Sequence, residues 1–308
     1  MLSKSTARIS DWLGLIRFSH TIFALPFAAL ATVMAFCTPL PSGGFPAFRI
    51  QDLIGILMCM VFARSAAMAF NRLADHQIDA ANPRTKKRHL PAGTLSRKSV
   101  WLFTVGCSAG FIASTALFWP NWVPLVASLP LLIFLCGYSL AKRFTSAAHV
   151  WLGVALSLSP ICAWVAIRGV ESVATPNDML TPLVLAAAVA AWVTGFDIIY
   201  ACQDAEYDVE SGLHSIPSKF GIVGALRIAA GSHVLMLGLL ALLPVVGESA
   251  GFGWFFWVLL VVIGALVVCQ HSIVRPDDLD RVNQAFFDTN AAISLSLLVV
   301  GTIDCIWI

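Results

Sequence analysis

One stretch of this chain places two carboxylates and an amide at helical spacing. Asn71, Asp75 and Asp79 are spaced i, i+4 and i+8, so on a helix all three project from one face. They stand at the end of an apolar segment, where acidic side chains are costly and are therefore candidates for function. Carboxylate and amide oxygens suit a hard divalent cation, most simply Mg²⁺ that also carries phosphate oxygens. We predict that these three side chains are metal ligands.

A second acidic stretch follows another apolar segment in the same way. Asp197, Asp204 and Asp208 are spaced i, i+7 and i+11, again along one helical face, and Tyr200 lies one turn after Asp197. We predict that Asp204 and Asp208 are metal ligands and that the five aspartates of the two stretches are catalytic. Asp197 lies deeper than the others, and it is either a base near the substrate or a salt-bridged helix acid.

Basic residues close to both acidic stretches indicate an anionic ligand. The run Arg84–Arg88 follows the first stretch, and Lys142 and Arg143 end another apolar segment. These bases can hold a diphosphate, which becomes a better leaving group when its charge is neutralised. Arg64 lies seven residues before Asn71, inside an apolar segment where an unpaired base is expensive. We expect it to contact the diphosphate or a substrate carboxylate rather than to form a structural ion pair.

The elements that position these residues are predicted to be transmembrane helices. The 308 residues are 58% hydrophobic and only 12% charged, against roughly 25% charged in an average soluble domain. Long apolar runs alternate with short charged clusters, which is typical of a polytopic all-α membrane protein. Nine spans are predicted, at about 12–36, 50–73, 99–118, 121–140, 147–168, 180–203, 221–244, 252–271 and 285–307.

The distribution of bases predicts the orientation of these spans. With the N-terminus inside, the inner segments hold the Arg84–Arg88 run and the pair Lys142 and Arg143, whereas the outer segments hold only Arg49 and Arg168. We therefore expect a multi-pass protein of the bacterial inner membrane, with its N-terminus and both acidic loops on the cytoplasmic side.

With these motifs in place, the chain resembles the UbiA superfamily of intramembrane prenyltransferases. The first family motif is matched by NRLADHQID, although Arg72 stands where Asp is common, and the second, DxxYxxxDxxxD, by Asp197 to Asp208. YSLAKRFT, from Tyr138 to Thr145, resembles the family's element with Tyr, Lys and Arg, and AFFDTN, which contains Asn290, also looks familial. The resemblance covers essentially the whole chain, so we expect a single domain over residues 1–308.

The resemblance implies a fold, a reaction and a set of site residues. Nine transmembrane helices would surround a central cavity in which Mg²⁺ binds a polyprenyl diphosphate. Ionisation would give an allylic cation that attacks a ring carbon of an aromatic acid, with the lipid bilayer as surroundings and no nucleic acid as a partner. The implied substrate-binding residues are Arg64, Asn71, Arg88, Tyr138, Lys142, Arg143, Tyr200 and Asn290.

Two questions stay open at this level. The acceptor is 4-hydroxybenzoate, in a route to a respiratory quinone (ubiquinone or menaquinone), or 1,4-dihydroxy-6-naphthoate in a menaquinone route. A secondary transporter that binds ions with its aspartates is the alternative from another class, although acids at one membrane face beside a basic loop suit a phosphate-cleaving site better. The seven histidines show no metal-ligand spacing, and we interpret most of them as surface or packing residues.

Overall fold

The computed structural model describes residues 8–17, 24–247, 251–279 and 281–307, apart from the side chains of residues 283–286. Within these ranges the chain forms α-helices joined by turns, short 3₁₀ helices and loops, and no β-strand. The helices are α1 (Ile9–Leu15), α2 (Leu25–Cys37), α3 (Ile50–Ala74), α4 (His76–Ala81), α5 (Arg97–Ser114), α6 (Val123–Ala141), α7 (Ala148–Ala174), α8 (Leu180–Ala201), α9 (Ala205–Glu210), α10 (Ile216–Val246), α11 (Trp254–Ile273) and α12 (Val282–Trp307).

The described residues contain eight helical segments long and apolar enough to cross a membrane. They match eight of the nine predicted spans and are built on α3, α5, α6, α7, α8, α10, α11 and α12. The first predicted span, at about 12–36, is the exception. It contains the 13-residue α2, which is shorter than the ~20 residues that a bilayer needs, and the end of α1. Residues 18–23 between these helices lie outside the described residues.

Among the eight long apolar segments of the described residues, the one that carries the second acidic stretch is the most enclosed. In α8 and its flanking turns, 72% of the residues in the most apolar 18-residue stretch are buried, against 44% in the corresponding stretch of α7. The segment LAAAVAAWVTG is rich in alanine, and small side chains let neighbouring helices approach closely in a membrane. α8 packs between α7 and α10, and its Trp192 is fully buried against Phe27 of α2. The position of Asp197 near the end of α8 is fixed by this packing.

A single glycine sets the distance between α7 and α8. A methyl group added to Gly153 would lie 2.5 Å from both the carbonyl oxygen of Ala190 and Oγ1 of Thr194. We expect Gly153→Ala to push the helices apart and to lower the unfolding free energy by about 1–3 kcal/mol. Thermal unfolding in detergent measures the effect, with Gly106→Ala of α5 as the control, because no neighbouring atom lies within 4 Å of an added methyl there. Equal melting temperatures for both variants would contradict this account of the contact.

Neither acidic stretch is a continuous α-helix, contrary to the geometry assumed from its spacing. α3 ends at Ala74 and α4 begins at His76, with Asp75 between them at a ψ of 9°. The hydrogen bonds from the amide of Asp75 to the carbonyl of Asn71 and from the amide of Asp79 to the carbonyl of Asp75 preserve the i, i+4 pattern across the break. The helical register is therefore kept. A 3₁₀ turn, Cys202–Asp204, interrupts the second stretch.

Candidate active site

The two acidic stretches face one cavity of about 370 Å³. All predicted site residues except one line it, and they come from α3, α4, α6, α8 and α9 and from the turns and loops that follow α3, α4, α6 and α8. They are Arg64, Asn71, Asp75, Asp79, Arg88, Tyr138, Lys142, Arg143, Asp197, Tyr200, Asp204 and Asp208. The structure therefore brings together side chains that are up to 144 residues apart in the sequence, from Arg64 to Asp208.

The aspartates of the first stretch are each paired with a base. Asp79 Oδ1 accepts a hydrogen bond of 2.6 Å from Arg88, and Arg72 lies 3.9 Å from Asp79 Oδ2. Asp75 lies 3.6 Å from Arg143. Arg72, which stands where the family often has an aspartate, is buried, so its positive charge is fixed beside this carboxylate.

Burial and crowding act on the carboxyl group of Asp75. Burial raises its pKa, and the neighbouring Asp79 raises it further, while Arg143, Lys142 and Arg72 oppose the rise. The net direction is upwards despite these bases. Such a carboxylate is stabilised by additional positive charge, which a metal ion supplies.

The second stretch repeats the same pairing. Asp204 accepts hydrogen bonds from Asn82 at 3.1 Å and from the guanidinium of Arg84, whose Nε lies 2.7 Å from Oδ1. Asp208 lies 3.9 Å from Nζ of Lys142. Each metal-ligand aspartate predicted from sequence therefore stands within 4 Å of a base that could instead bind phosphate.

Hydrogen bonds tie the two acidic loops together. The hydroxyl of Tyr207 donates to the carbonyl of Ile78 at 2.9 Å, so α9 is fixed to α4. In the turn after α4, Asn82 Oδ1 accepts from the amide of Arg84 at 2.9 Å, as is common for an Asn that precedes Pro. Arg84 then donates to the hydroxyl of Tyr200 at 3.0 Å. Tyr200 is thus in direct contact with the first residue of the basic run.

Positive charge predominates in the cavity. Among the described residues that line it, five aspartates face seven bases, namely Arg17, Arg64, Arg72, Arg84, Arg88, Lys142 and Arg143. A surplus of bases in a concave site favours an anionic ligand. The Nε of Arg64 is buried and makes no hydrogen bond.

The donor chemistry of the site fits a hard divalent cation. Oδ2 of Asp79 and Oδ2 of Asp208 are buried and make no hydrogen bond. Such carboxylate oxygens are costly to bury unless a cation binds them. In the described residues no three acidic, histidine or cysteine side chains converge on one point. The carboxylates are instead paired one by one with basic side chains.

Beyond the charged residues the cavity becomes apolar. Its inner wall is formed by aliphatic and aromatic side chains, among them Met60, Phe111, Leu131, Leu135, Leu152 and Leu156. One end of the cavity therefore suits a charged group and the other a hydrocarbon chain. This pairing of surfaces matches an amphiphilic substrate.

Asn290 is the predicted site residue that does not line the cavity. It is fully buried on α12, where its Oδ1 accepts hydrogen bonds from Trp192 at 3.0 Å and from Gln270 at 3.4 Å. α12 packs against α11, α2 and α8, and none of its described side chains lines the cavity. In this position Asn290 joins helices to one another.

Several cavity residues were not among those predicted from the sequence. Arg17, Asn82 and Tyr207 line the cavity, and His149 contacts a residue that lines it. His149 Nδ1 lies 2.7 Å from Oδ2 of Asp197, although 48 residues separate them. No sequence spacing marks this pair, whereas the position of Asn82 and Arg84 three and five residues after Asp79 is a local signal.

Comparisons with known proteins point to one family. The model of the UbiA prenyltransferase family matches residues 20–295, which include both acidic stretches. A protein of Vibrio atlanticus (strain LGP32) named 4-hydroxybenzoate octaprenyltransferase is 32% identical over 253 residues, or 80% of this chain and 82% of that protein.

Solved structures share the fold. The apo structure of a UbiA homolog from Aeropyrum pernix K1 has a TM-score of 0.79 and 31% identity, and the match covers 92% of this chain and 97% of that one. A UbiA homolog from Archaeoglobus fulgidus, bound to DMAPP and Mg²⁺, has a TM-score of 0.71 over 94% of this chain and 97% of that one. Its identity of 19% makes it a likeness of fold alone.

Proposed function

The chain belongs to the UbiA prenyltransferase family, and we propose that it transfers a polyprenyl group from a polyprenyl diphosphate to a hydroxylated aromatic carboxylic acid, with 4-hydroxybenzoate as the favoured acceptor. The observation that carries the proposal is the single cavity with a strongly basic, carboxylate-bearing end and an apolar interior. An alkyl diphosphate has the same two parts. The name of the Vibrio atlanticus relative supports the choice of acceptor.

The diphosphate is assigned to the charged end of the cavity. Arg84, Arg88, Lys142 and Arg143 stand there beside the motif aspartates, and they can turn from carboxylate to phosphate partners. Asn71, Asp75, Asp79, Asp204 and Asp208 are the residues that would hold Mg²⁺, which when bound neutralises the diphosphate and makes it a better leaving group. Tyr138 and Tyr200 also line this cavity, and the hydroxyl of Tyr200 accepts a hydrogen bond from Arg84.

The acceptor carboxylate is assigned to Arg64. This residue lies two helical turns, or about 10 Å, along α3 from Asn71, on the side of the apolar lining residues Met60 and Ala63. A guanidinium binds a carboxylate through two parallel hydrogen bonds. Because 1,4-dihydroxy-6-naphthoate carries the same group, Arg64 suits either acceptor.

The proposed reaction is an electrophilic aromatic substitution. The bond between the allylic carbon and the diphosphate oxygen breaks, and both electrons leave with the oxygen. The resulting cation accepts an electron pair from an activated ring carbon, after which that carbon loses its proton. The apolar interior limits capture of the cation by water.

We place the protein in the bacterial inner membrane as one domain over residues 1–308, with the charged end of the cavity towards the cytoplasm. The apolar helices support a multi-pass arrangement. The excess of bases in the segments that line the charged end supports the orientation. A soluble diphosphate product would then be released on the side where it is metabolised.

We expect the purified protein to form a prenylated acid from 4-hydroxybenzoate and a polyprenyl diphosphate, with one diphosphate released per product, only when Mg²⁺ is present. Mass analysis of the product and a diphosphate assay measure both quantities, and chelation followed by added Mg²⁺ tests reversibility. Phenol, which lacks the carboxylate, should be a much poorer acceptor. Parallel reactions with 1,4-dihydroxy-6-naphthoate identify the preferred acceptor.

Two results would overturn the proposal. Diphosphate release without any prenylated acid would indicate a hydrolase. Uptake of a substrate into vesicles without a covalent product would favour the transporter alternative.

A further inference from the structure

We propose that His149 is a positioning residue for Asp197 in prenyl transfer, and that the carboxylate it holds takes the proton that the acceptor ring loses. This inference rests on the proposed function and adds a residue to it. It starts from the contact between Nδ1 of His149 and Oδ2 of Asp197, which are 2.7 Å apart. The motif aspartates of the metal-ligand set pair with Arg or Lys, whereas Asp197 pairs with a histidine.

His149 and Asp197 differ in burial, and this difference indicates that only Asp197 can contact a substrate. The side chain of His149 has no exposed surface, whereas that of Asp197 is 21% exposed and lines the cavity. The imidazole therefore lies behind the carboxylate and cannot touch a ligand in the cavity. Asp197 stands between the histidine and the substrate space.

The hydrogen-bond pattern fixes the direction of the contact. With Asp197 ionised, the carboxylate only accepts, so Nδ1–H of His149 is the donor and Nε2 is unprotonated. Nε2 is buried without a hydrogen-bond partner, and this tautomer avoids a buried N–H without an acceptor. One carboxylate oxygen is thus engaged by the histidine, and the other is left for the substrate.

The packing around the pair keeps it in place. His149 lies in the first turn of α7, and one turn later Gly153 allows α7 to touch the backbone of α8 at Ala190. Asp197 lies on α8 two turns beyond Ala190. A base held on two closely packed helices can be kept near the substrate more precisely than one on a loop.

The position of Asp197 suits removal of the ring proton. It lines the same cavity as Arg64, to which the acceptor carboxylate is assigned, and it is not among the predicted metal ligands. After the new C–C bond forms, the ring C–H bond breaks and its electron pair restores the aromatic ring. The proton forms an O–H bond with the Asp197 carboxylate and leaves through the open end of the cavity to water. No oxidant or further reactant is needed.

Two substitutions separate positioning from packing. In His149→Asn, the amide Nδ2 occupies the place of the imidazole Nδ1 and can still donate to Asp197, whereas His149→Leu retains bulk without a donor. We expect the Leu variant to lose about ten- to a hundredfold in kcat, the range for a lost charge-assisted hydrogen bond, with little change in KM for the prenyl diphosphate. The Asn variant should retain most of the wild-type kcat.

Further readouts report on the proton and the cation directly. With a ring-deuterated acceptor, the Leu variant should show a larger kinetic isotope effect than the wild type, because proton removal becomes slower. It should also release more diphosphate per prenylated product, because a ring adduct that loses its proton slowly can break the new C–C bond again and return the allylic cation, which water then captures. Asp197→Asn combined with His149→Leu should be no worse than Asp197→Asn alone, since the histidine acts through the aspartate.

A matched control is His233→Asn, because His233 is equally buried but lies on α10, pairs with His271 and does not line the cavity. It should retain wild-type kinetics per folded molecule. The inference is overturned if His149→Leu keeps the wild-type kcat, or if the Asn and Leu variants lose activity equally with unchanged isotope effect and product ratio. A wild-type protein that prenylates no aromatic acid would instead refute the proposed function.

Discussion

Asp208→Asn is expected to reduce prenyl transfer by about a thousandfold or more while leaving the fold intact. The Asp208 carboxylate is buried, lies 3.9 Å from Lys142, and has one oxygen without a hydrogen-bond partner. The substitution keeps the shape of the side chain but removes the charge that a divalent cation requires. Steady-state kinetics measure the loss, and Mn²⁺ titration by calorimetry measures the weakened metal binding independently of turnover.

The matched control for this prediction is Asp52→Asn. Asp52 is also buried and also pairs with a base, Arg49 at 3.4 Å, but it lies in the first turn of α3 and does not line the cavity. It should bind Mn²⁺ and turn over as the wild type does. If Asp208→Asn retained near-wild-type rates and Mn²⁺ affinity, the assignment of Asp208 as a metal ligand would be wrong.

The membrane helices could be predicted because their signal is local and repeated. Long apolar runs separated by charged clusters gave eight of the spans to within a few residues for most ends. The segment at about 12–36 contains the short helices α1 and α2, which composition alone could not separate. The break at Asp75 was also missed, because a spacing of i, i+4 survives a local change of backbone angle when its hydrogen bonds persist.

Cavity residues could be predicted from the sequence only where residues of the same chemical type recur at short, regular spacing. The aspartates are recognisable by their spacing, and Arg88 is recognisable because it lies in a run of basic residues. His149 has no such signal, because its contact with Asp197 forms only when α7 packs antiparallel against α8. Asn290 shows the opposite case, in which a residue noted by resemblance lies in the helix packing outside the cavity.

The contacts of Arg72, which stands where the family commonly has an aspartate, are also visible only in the folded chain. Its guanidinium donates to Oδ1 of Asn71 at 3.3 Å and lies 3.9 Å from Asp79. A fixed positive charge therefore stands among predicted metal ligands, where the family commonly has a negative one. The sequence marks the substitution, but the contact with Asp79 depends on the turn between α3 and α4, and a third contact, from Nε of Arg72 to the carbonyl of Leu15 at 3.4 Å, depends on the packing of α1.

Arg64→Lys is expected to lower kcat/KM for the aromatic acceptor by about ten- to a hundredfold, with a smaller effect on the prenyl diphosphate. Arg64 lines the cavity, its Nε is buried without a protein partner, and it lies two turns along α3 from Asn71. A lysine keeps the charge but cannot copy the two parallel hydrogen bonds of a guanidinium to a carboxylate. Steady-state kinetics with each substrate varied separately measure the two effects.

Arg88→Lys provides the contrasting variant, because Arg88 donates to Asp79 at the charged end of the cavity. It should weaken use of the prenyl diphosphate more than use of the acceptor, so the two lysine variants should show opposite patterns. An acceptor without a carboxylate gives a second check, since its low rate should be nearly the same in the wild type and in Arg64→Lys. If Arg64→Lys instead impaired the diphosphate alone, Arg64 would belong to the leaving-group site, and unchanged constants for both substrates would leave it a purely structural base.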